Sequence, residues 1–141
     1  MKLLLAIACV SLLASFSPVG LPSPVTLRAG LCGCQAVPPT FAGETGAATF
    51  VLDPGAKTLS YRIAYTRLIG GFETEAHIHG PASSGANGPI LHLLPLGSLK
   101  VGTWSYPPSL EDSILAGKTY VDVHSLMFPS GEFRGQILRA N

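Results

Sequence analysis

Glycine and proline interrupt this chain too often for it to form long helices. Its 141 residues include sixteen Gly and twelve Pro, and both residue types break regular helices. The segments between them are short and rich in β-branched and aromatic residues, which favour strands. Hydrophobic residues make up 47% of the chain, enough to build a core. The pattern therefore predicts one ordered, all-β domain.

Six segments have the composition or the alternation expected of strands. They are Ala47 to Leu52, Thr58 to Tyr65, Glu75 to His79, Ile90 to Leu94, Lys118 to His124 and Glu132 to Leu138. The first two are joined by Asp53-Pro54-Gly55, where Pro presets one turn dihedral and Gly tolerates the next. The last two are expected to pair antiparallel across residues 128–131. A short helix is expected at Leu110 to Ala116, with Ser109 as its cap and Gly117 as its stop. Antiparallel strands at this spacing predict a β-sandwich or a small barrel.

The first 29 residues have the features of an export signal. Met1-Lys2 precedes an apolar run from Leu3 to Leu13, which has the length of a signal-peptide core, whereas a membrane span needs about 20 apolar residues. We expect residues 1–29 to be a signal peptide and Pro-rich leader, cleaved between Ala14 and Ala29. The mature protein would then be secreted or periplasmic, with no transmembrane anchor.

The charge balance argues against nucleic acid as a partner. Nine Lys and Arg against eight Asp and Glu leave a formal charge of +1, and the basic residues form no stripe that could follow phosphates. The sequence also contains no Gly-x-Ser-x-Gly elbow and no glycine-rich phosphate loop, which are the motifs of common hydrolases and nucleotide-binding enzymes.

Cys32 and Cys34 are the cysteines left once a signal containing Cys9 is removed. A bond between residues this close closes a tiny loop and adds little stability by the loop-entropy argument. The spacing is compatible with a redox-active pair, a metal-binding thiol pair, lipidation of Cys34, a local bridge or incidental thiols. The fold is therefore expected to depend on its core.

Five short motifs follow one another between Leu31 and Leu138. They are Gln35-Ala36-Val37-Pro38-Pro39, Gly46-Ala47-Ala48-Thr49-Phe50, Leu59-Ser60-Tyr61, Ala76-His77-Ile78-His79-Gly80-Pro81-Ala82 and Gly131-Glu132-Phe133-Arg134-Gly135-Gln136. In order and spacing they resemble the CHRD domain, a module named after chordin and also found as single-domain exported bacterial proteins. The resemblance, assigned to residues 31–141, implies an immunoglobulin-like Greek-key antiparallel β-sandwich or barrel, loosely like copper/zinc superoxide dismutases. It implies no settled activity.

Alternation along three predicted strands gathers polar side chains on one face. Successive side chains of a strand point to opposite sides of a sheet, so apolar members such as Ile78 and Val123 are expected to face the core. The other face then carries Glu75, His77, His79, Tyr120, Asp122, His124, Glu132, Arg134 and Gln136. If the strands are neighbours, the imidazoles share one surface.

A metal site is one interpretation of that surface. Two His at i and i+2 of a strand can reach one ion, and a third from another strand completes the nitrogen set of zinc or copper sites. The candidate ligands are His77, His79 and His124, with Glu75, Asp122 or Glu132 as partners for the outer imidazole N–H groups and Arg134 as a guide for a small anion. The resemblance to dismutases implies copper ligands on a His-x-His strand, a form that His77-Ile78-His79 shares.

The alternative interpretation is structural. Half-exposed sheet faces are normally polar, and the two His of His77-Ile78-His79 can simply pack or hydrogen-bond against a neighbouring loop. His92, between Leu91 and Leu93, is expected to be structural. Glu132 and Arg134 are equally compatible with an ion pair that supports a turn, and Asp122 with a cross-strand pair to Arg134.

Three functions from different classes follow from the sequence. The first is an exported, non-catalytic binding or structural module that contacts an unknown extracellular protein or matrix partner, since no catalytic set is present. The second is binding of copper or zinc through the three histidines. The third is a redox activity like that of superoxide dismutase, which requires accessible copper.

Overall fold

The computed structural model describes residues 22–140, whose strands form one antiparallel sheet. The strands are β1 (Val25–Cys32), β2 (Glu44–Asp53), β3 (Thr58–Tyr65), β4 (Glu73–His79), β5 (Ile90–Leu93), β6 (Leu99–Ser105), β7 (Thr119–Ser125) and β8 (Phe133–Arg139), with one short α-helix, α1 (Glu111–Leu115). Their order in the sheet is β5-β4-β7-β8-β1-β2-β3-β6. The sheet is nearly closed into a barrel, so the all-β prediction is confirmed.

The barrel remains open between its two edge strands, β5 and β6. No backbone ladder joins them within residues 22–140. Aromatic side chains cover the gap instead: the ring of His92 on β5 stacks on Trp104 of β6, with centroids 5.4 Å apart and planes 15° apart. Tyr61 packs beside His92 at 5.9 Å. Stacking therefore joins two edges between which no backbone ladder forms in the described residues.

The interior of the barrel is filled by the apolar members of the alternating strands. The fully buried aliphatic and aromatic side chains are Leu27, Leu31, Phe50, Leu52, Leu59, Ile63, Ile78, Val121, Val123, Phe133 and Ile137, together with Ile114 of α1. Each such side chain stabilises the fold by about 1.5–3 kcal/mol relative to exposure. The core thus occupies one face of the sheet and leaves the outer face for other roles.

Strand β1 was not predicted from the sequence. It lies between β2 and β8 and pairs with both. It begins at Val25, ahead of the domain start expected at residue 31. The expected signal segment, residues 1–21 of the leader, lies outside the described residues. Between residues 22 and 140, no helix is long and apolar enough to cross a membrane.

The two expected hairpins are present. In the β2–β3 turn, the Asp53 carboxylate accepts hydrogen bonds from the backbone N–H groups of Gly55 at 2.8 Å and Ala56 at 2.9 Å. The left-handed conformation falls on Lys57, with φ at 56°, rather than on the glycine. Strands β7 and β8 pair antiparallel as expected.

The start of α1 differs from the prediction, whereas its stop at Gly117 is as expected. The residue before the helix is Leu110, which makes no side-chain capping bond, so Ser109 is not the cap. A 3₁₀ turn over Pro108–Leu110 leads into the helix instead. Gly117 ends it with φ at 70°, a conformation that glycine adopts without a steric penalty.

Cys32 and Cys34 form a disulfide. Of the interpretations open at the sequence level, the local bridge is the one present in the structure. The bonded sulfurs provide neither metal-binding thiolates nor a free Cys34 for lipid attachment. The bridge spans the start of a 3₁₀ turn, Gly33–Gln35, that leads away from β1 across the outer face of the sheet.

Candidate metal centre

The pairing of β4 with β7 brings the three predicted histidines together. In this ladder His77 lies opposite Asp122 and Glu75 lies opposite His124. His79 is on the same face of β4, two residues beyond His77. All these side chains point away from the barrel core, because their neighbours Ile78 and Val123 fill it. The cluster therefore forms on the outer face of the sheet.

The cluster is buried although it lies outside the barrel. His77 is 3% exposed, His79 9% and Asp122 7%. The loop after β4 provides part of the cover: Gly88 donates its N–H to the hydroxyl of Tyr120 at 3.1 Å, and the Tyr120 ring stacks on His79 at 4.9 Å. The histidines are thus enclosed between the sheet and its loops.

Asp122 occupies the centre of the cluster. Its Oδ1 atom lies 3.6 Å from His77 Nδ1, 3.2 Å from His79 Nε2 and 3.3 Å from His124 Nε2. One donor atom from each of the four residues lies within 4.8 Å of every other. Around a tetrahedral ion with bonds of 2.0–2.1 Å, donor atoms are about 3.3 Å apart. The spacing around Asp122 is close to that of a coordination sphere.

The other nitrogen of each imidazole faces an oxygen. His79 Nδ1 lies 2.9 Å from the carbonyl of Gly88, and His124 Nδ1 lies 2.9 Å from the carbonyl of Pro129. Because a carbonyl only accepts, these Nδ1 atoms carry the proton, and in the neutral imidazole each Nε2 then has its lone pair aimed at the cluster. His77 Nε2 similarly faces the carboxylate of Glu75 at 3.4 Å.

The atoms that converge at the centre have no hydrogen-bond partner. His77 Nδ1, His79 Nε2, His124 Nε2 and Asp122 Oδ1 are all buried, and in the described part of the chain none forms a hydrogen bond of normal geometry, although the three nitrogens lie 3.2–3.6 Å from the Asp122 oxygen. Leaving one buried polar atom unpaired costs about 1–3 kcal/mol. Unpaired atoms are rare in folded proteins and commonly mark an ion or a water at the site.

The charges within the cluster oppose the effect of burial. Burial on its own would raise the pKa of Asp122, but attraction to His124 and His79 lowers it to about 2. Burial would lower the pKa of His79 and of His124, yet the Asp122 carboxylate raises both. Burial lowers the pKa of His77; the Asp122 carboxylate opposes this effect, and the positive charges of His124 and His79 add to it. The Asp122 carboxylate is therefore the negative charge that attracts both His79 and His124.

The CHRD domain family matches residues 27–137, which is most of the chain and includes every member of the cluster. The chain belongs to the CHRD domain family. No curated protein and no solved structure shows significant similarity to it. CHRD domains occur in extracellular or secreted proteins, and membership supports a non-enzymatic module in general. The match begins at Leu27, inside β1.

Two of the supporting residues expected from the sequence are placed differently in this CHRD domain. Glu132 is absent from the cluster: its carboxylate accepts hydrogen bonds from the backbone N–H groups of Ile69 at 2.6 Å and Gly70 at 3.1 Å. It precedes β8, so strand alternation does not apply to it. Asp122, expected to hold an outer N–H, lies at the centre instead.

Arg134 lies on the expected face, opposite Asp122 in the β7–β8 ladder. It holds no imidazole, and in the described residues it forms no ion pair with Asp122 or Glu132. Its guanidinium donates to the carbonyls of Ala86 at 2.8 Å and Ser83 at 3.2 Å. The expected ion pairs of Arg134 are therefore not formed, because the loop after β4 supplies its acceptors.

His92 is separate from the cluster. It lies opposite Ile78 in the β4–β5 ladder, and residues opposite each other point to the same side of a sheet. Its ring therefore points inward, where it stacks on Trp104.

The carbonyl acceptors of Gly88 and Pro129 were not predicted from the sequence, because nothing in the sequence indicates where a loop carbonyl will point.

Proposed function

We propose that this CHRD domain binds one zinc ion through His77, His79, Asp122 and His124. The proposal rests on one observation: four buried donor atoms converge without hydrogen-bond partners, while oxygens face the opposite nitrogens of the imidazoles. Outer acceptors of this kind fix the tautomer and the orientation of histidine ligands.

Zinc fits the donor set better than copper. Zn²⁺ prefers tetrahedral sites built from ligands of this kind, three imidazole nitrogens and one carboxylate oxygen. The distances from the Asp122 oxygen to the nitrogens, 3.2–3.6 Å, are close to tetrahedral edges. Cu²⁺ prefers tetragonal geometries, which would require the cluster to flatten. Copper remains the alternative ion, and the same metal analysis distinguishes the two.

The site favours a structural role over catalysis. Four protein ligands fill a tetrahedral sphere, whereas catalytic zinc or redox copper needs an open position. Burial of His77 and Asp122 supports the same conclusion. An ion here would fasten β4 to β7 on the side of the sheet that the core does not stabilise. We therefore do not favour dismutase-like activity.

We further propose that the module acts outside the cytoplasm. The apolar run from Leu3 to Leu13 and the occurrence of CHRD domains in extracellular or secreted proteins both support export. An extracellular protein or matrix component is the class of partner that such a module would meet.

The test is metal analysis of the mature protein purified without a histidine tag. We expect about one zinc per chain in the wild type, in keeping with a single four-ligand site. The double variant His77→Ala, His79→Ala is expected to lose the metal. His92→Ala is the matched control, because its imidazole lies outside the cluster, and it should keep the wild-type content.

Cobalt substitution provides a second test of the metal site. A tetrahedral cobalt site absorbs intensely in visible light, and Asp122→Asn should weaken that band while His92→Ala leaves it unchanged. Wild-type protein that takes up neither zinc nor copper, or a double variant that binds as much as the wild type, would refute the proposal.

A further inference from the structure

A cavity of about 290 Å³ lies beside the metal centre without including its ligands. One wall is the segment after the 3₁₀ turn, with the apolar side chains of Ala36, Val37 and Pro39. The opposite wall is the loop after β4, including Ser84, and Arg134 of β8 also lines the space. The cavity is close to the lower size limit of small-molecule sites, which are mostly apolar with a few placed polar groups.

Arg134 is the charged group of this cavity. It is only 2% exposed, and its guanidinium lies 3.5 Å over the ring of Tyr120. Its hydrogen bonds go to neutral acceptors: the carbonyls of Ala86 and Ser83 and the side-chain oxygen of Gln136 at 2.8 Å. A buried guanidinium with only neutral hydrogen-bond partners is uncommon, because buried charges are normally paired.

Arg134 forms no ion pair with Asp122 within the described residues. Asp122 faces it across the β7–β8 ladder, but its Oδ1 is surrounded by three imidazoles. Burial lowers the pKa of Arg134, and the charges of Tyr120 and Asp122 compensate for only part of that effect. A metal ion bound to Asp122 would cancel the compensation that Asp122 provides and leave the guanidinium with still less negative charge nearby.

The guanidinium also has donors to spare. It carries five N–H groups, and three hydrogen bonds are accounted for within the described residues. The Nε–H and one N–H of Nη1 remain. These two N–H groups lie on different edges of the guanidinium, so each can donate one charge-assisted hydrogen bond to a carboxylate oxygen.

We propose that the cavity binds the carboxylate of a small organic anion, paired with Arg134, with its apolar stem against Ala36, Val37 and Pro39. The shared chemistry is a carboxylate on an apolar stem. A free organic acid and the C-terminus of a peptide both provide it.

The probe pair is benzoate and benzamide, which have nearly the same shape and differ in charge. Binding is followed by calorimetry or ligand-observed NMR on protein stripped of metal, so the result does not depend on the zinc proposal. We expect benzoate to bind at least about tenfold more tightly than benzamide, the advantage of one charge-assisted hydrogen bond. Arg134→Gln should abolish that preference.

Because Arg134 is buried, its replacement can also disturb folding, so a second variant tests the site from the exposed loop. Ser84→Glu places a carboxylate in the cavity, where it should occupy the guanidinium and reduce benzoate binding at least about tenfold. Ser84→Gln has the same size without the charge and should bind benzoate like the wild type. Equal binding of benzoate and benzamide, or undiminished benzoate binding by Ser84→Glu, would overturn the proposal.

A comparison with peptides distinguishes a free organic acid from a peptide C-terminus as the natural ligand. A tripeptide ending in valine is compared with its C-terminal amide. Tighter binding of the free-acid peptide than of benzoate supports a protein C-terminus as the natural ligand, whereas tighter binding of benzoate supports a free acid. Failure of both carboxylates to bind refutes the site.

Discussion

Lys100 occupies a position where alternation alone would place an apolar residue. It is fully buried and lies opposite Ile63, a core residue, in the β3–β6 ladder. Its ammonium pairs with Glu73 and donates to the carbonyls of Pro95 and Gly97, each at 2.8 Å. The charge is tolerated because every donor direction meets an oxygen. This ion pair ties β6 to the start of β4 near the open seam of the barrel.

Removing one partner of this pair should be costly. Lys100→Met leaves the Glu73 carboxylate, 6% exposed, without its cation, and such losses cost about 3–5 kcal/mol. Lys57→Met is the matched control, since Lys57 pairs with Glu111 while 40% exposed, and exposed pairs contribute about 1 kcal/mol or less. Urea unfolding of both variants measures the difference. Similar losses in the two variants would contradict a dependence on burial.

A second substitution separates the lost ion pair from lost packing. Lys100→Met combined with Glu73→Gln removes the unpaired carboxylate charge. We therefore expect the double variant to unfold at a higher urea concentration than Lys100→Met alone. If Glu73→Gln brings no recovery, the cost of Lys100→Met comes from packing and not from an unpaired carboxylate.

At the same scale, the sequence predicted some positions of the His/Asp cluster and not others. Strand alternation alone placed His77, His79 and His124 on one face, because the adjacent Ile78 and Val123 have to be buried. Alternation does not specify depth, so it could not show that Asp122 lies among the rings. Glu132 was misplaced because it lies one residue before β8, where the alternation begins.

At the scale of elements, six of the eight strands within residues 22–140 were predictable from the sequence, and physical reasons explain why the other two were missed. In β6 the pattern is inverted: Leu99 and Val101 are exposed while Lys100 is buried. Gly102 also lies inward, where a side chain would collide with the ring of Tyr61. In β1, Leu27, Ala29 and Leu31 do alternate inward, but the segment follows a signal-like region and was assigned to the leader.

The position of β1 limits where the leader can be cleaved. β1 is paired on both sides, with β2 and β8, so cleavage after Val25 would remove part of the sheet interior. We predict a mature N-terminus between Ala14 and Pro24, the early part of the range that the sequence allows. Intact-mass analysis of exported protein measures it. A mature chain beginning after Ala29 would show that β1 is dispensable.

Truncation tests the same strand directly. A chain that starts at Pro22 keeps all of β1 and should unfold cooperatively on heating. A chain that starts at Gly30 loses buried Leu27 and Ala29 together with most of the ladder to β2, and we expect no cooperative transition by circular dichroism. Equal melting curves for the two chains would contradict a structural role for β1.

At the scale of the whole molecule, stability and candidate chemistry lie on opposite faces of the same sheet. The inner face holds the apolar core, and the outer face of β4, β7 and β8 holds the His/Asp cluster and Arg134. Loops make the outer face a second, polar interior: the carbonyls of Gly88 and Pro129 face the imidazoles, and Ala86 accepts from Arg134. Strand patterns in the sequence can indicate the outer face, but the loop contacts arise only in the folded chain.

This arrangement predicts that zinc stabilises the whole domain. An ion bound only by the folded state adds RT ln(1 + [Zn]/Kd), which is about 2.7 kcal/mol at a free zinc concentration one hundred times Kd. For a domain of this size that raises Tm by roughly 10 °C. The measurement is calorimetry of chelator-treated protein with and without added zinc.

Two variants serve as controls. The double variant His77→Ala, His79→Ala should show no rise in Tm with zinc. His92→Ala is altered inside the barrel, so its Tm should be lower than that of the wild type, yet zinc should raise it by the same amount. A Tm in the wild type that does not respond to zinc would mean that the unpaired atoms around Asp122 are satisfied by something other than a metal, and that the outer face is held by its loops alone.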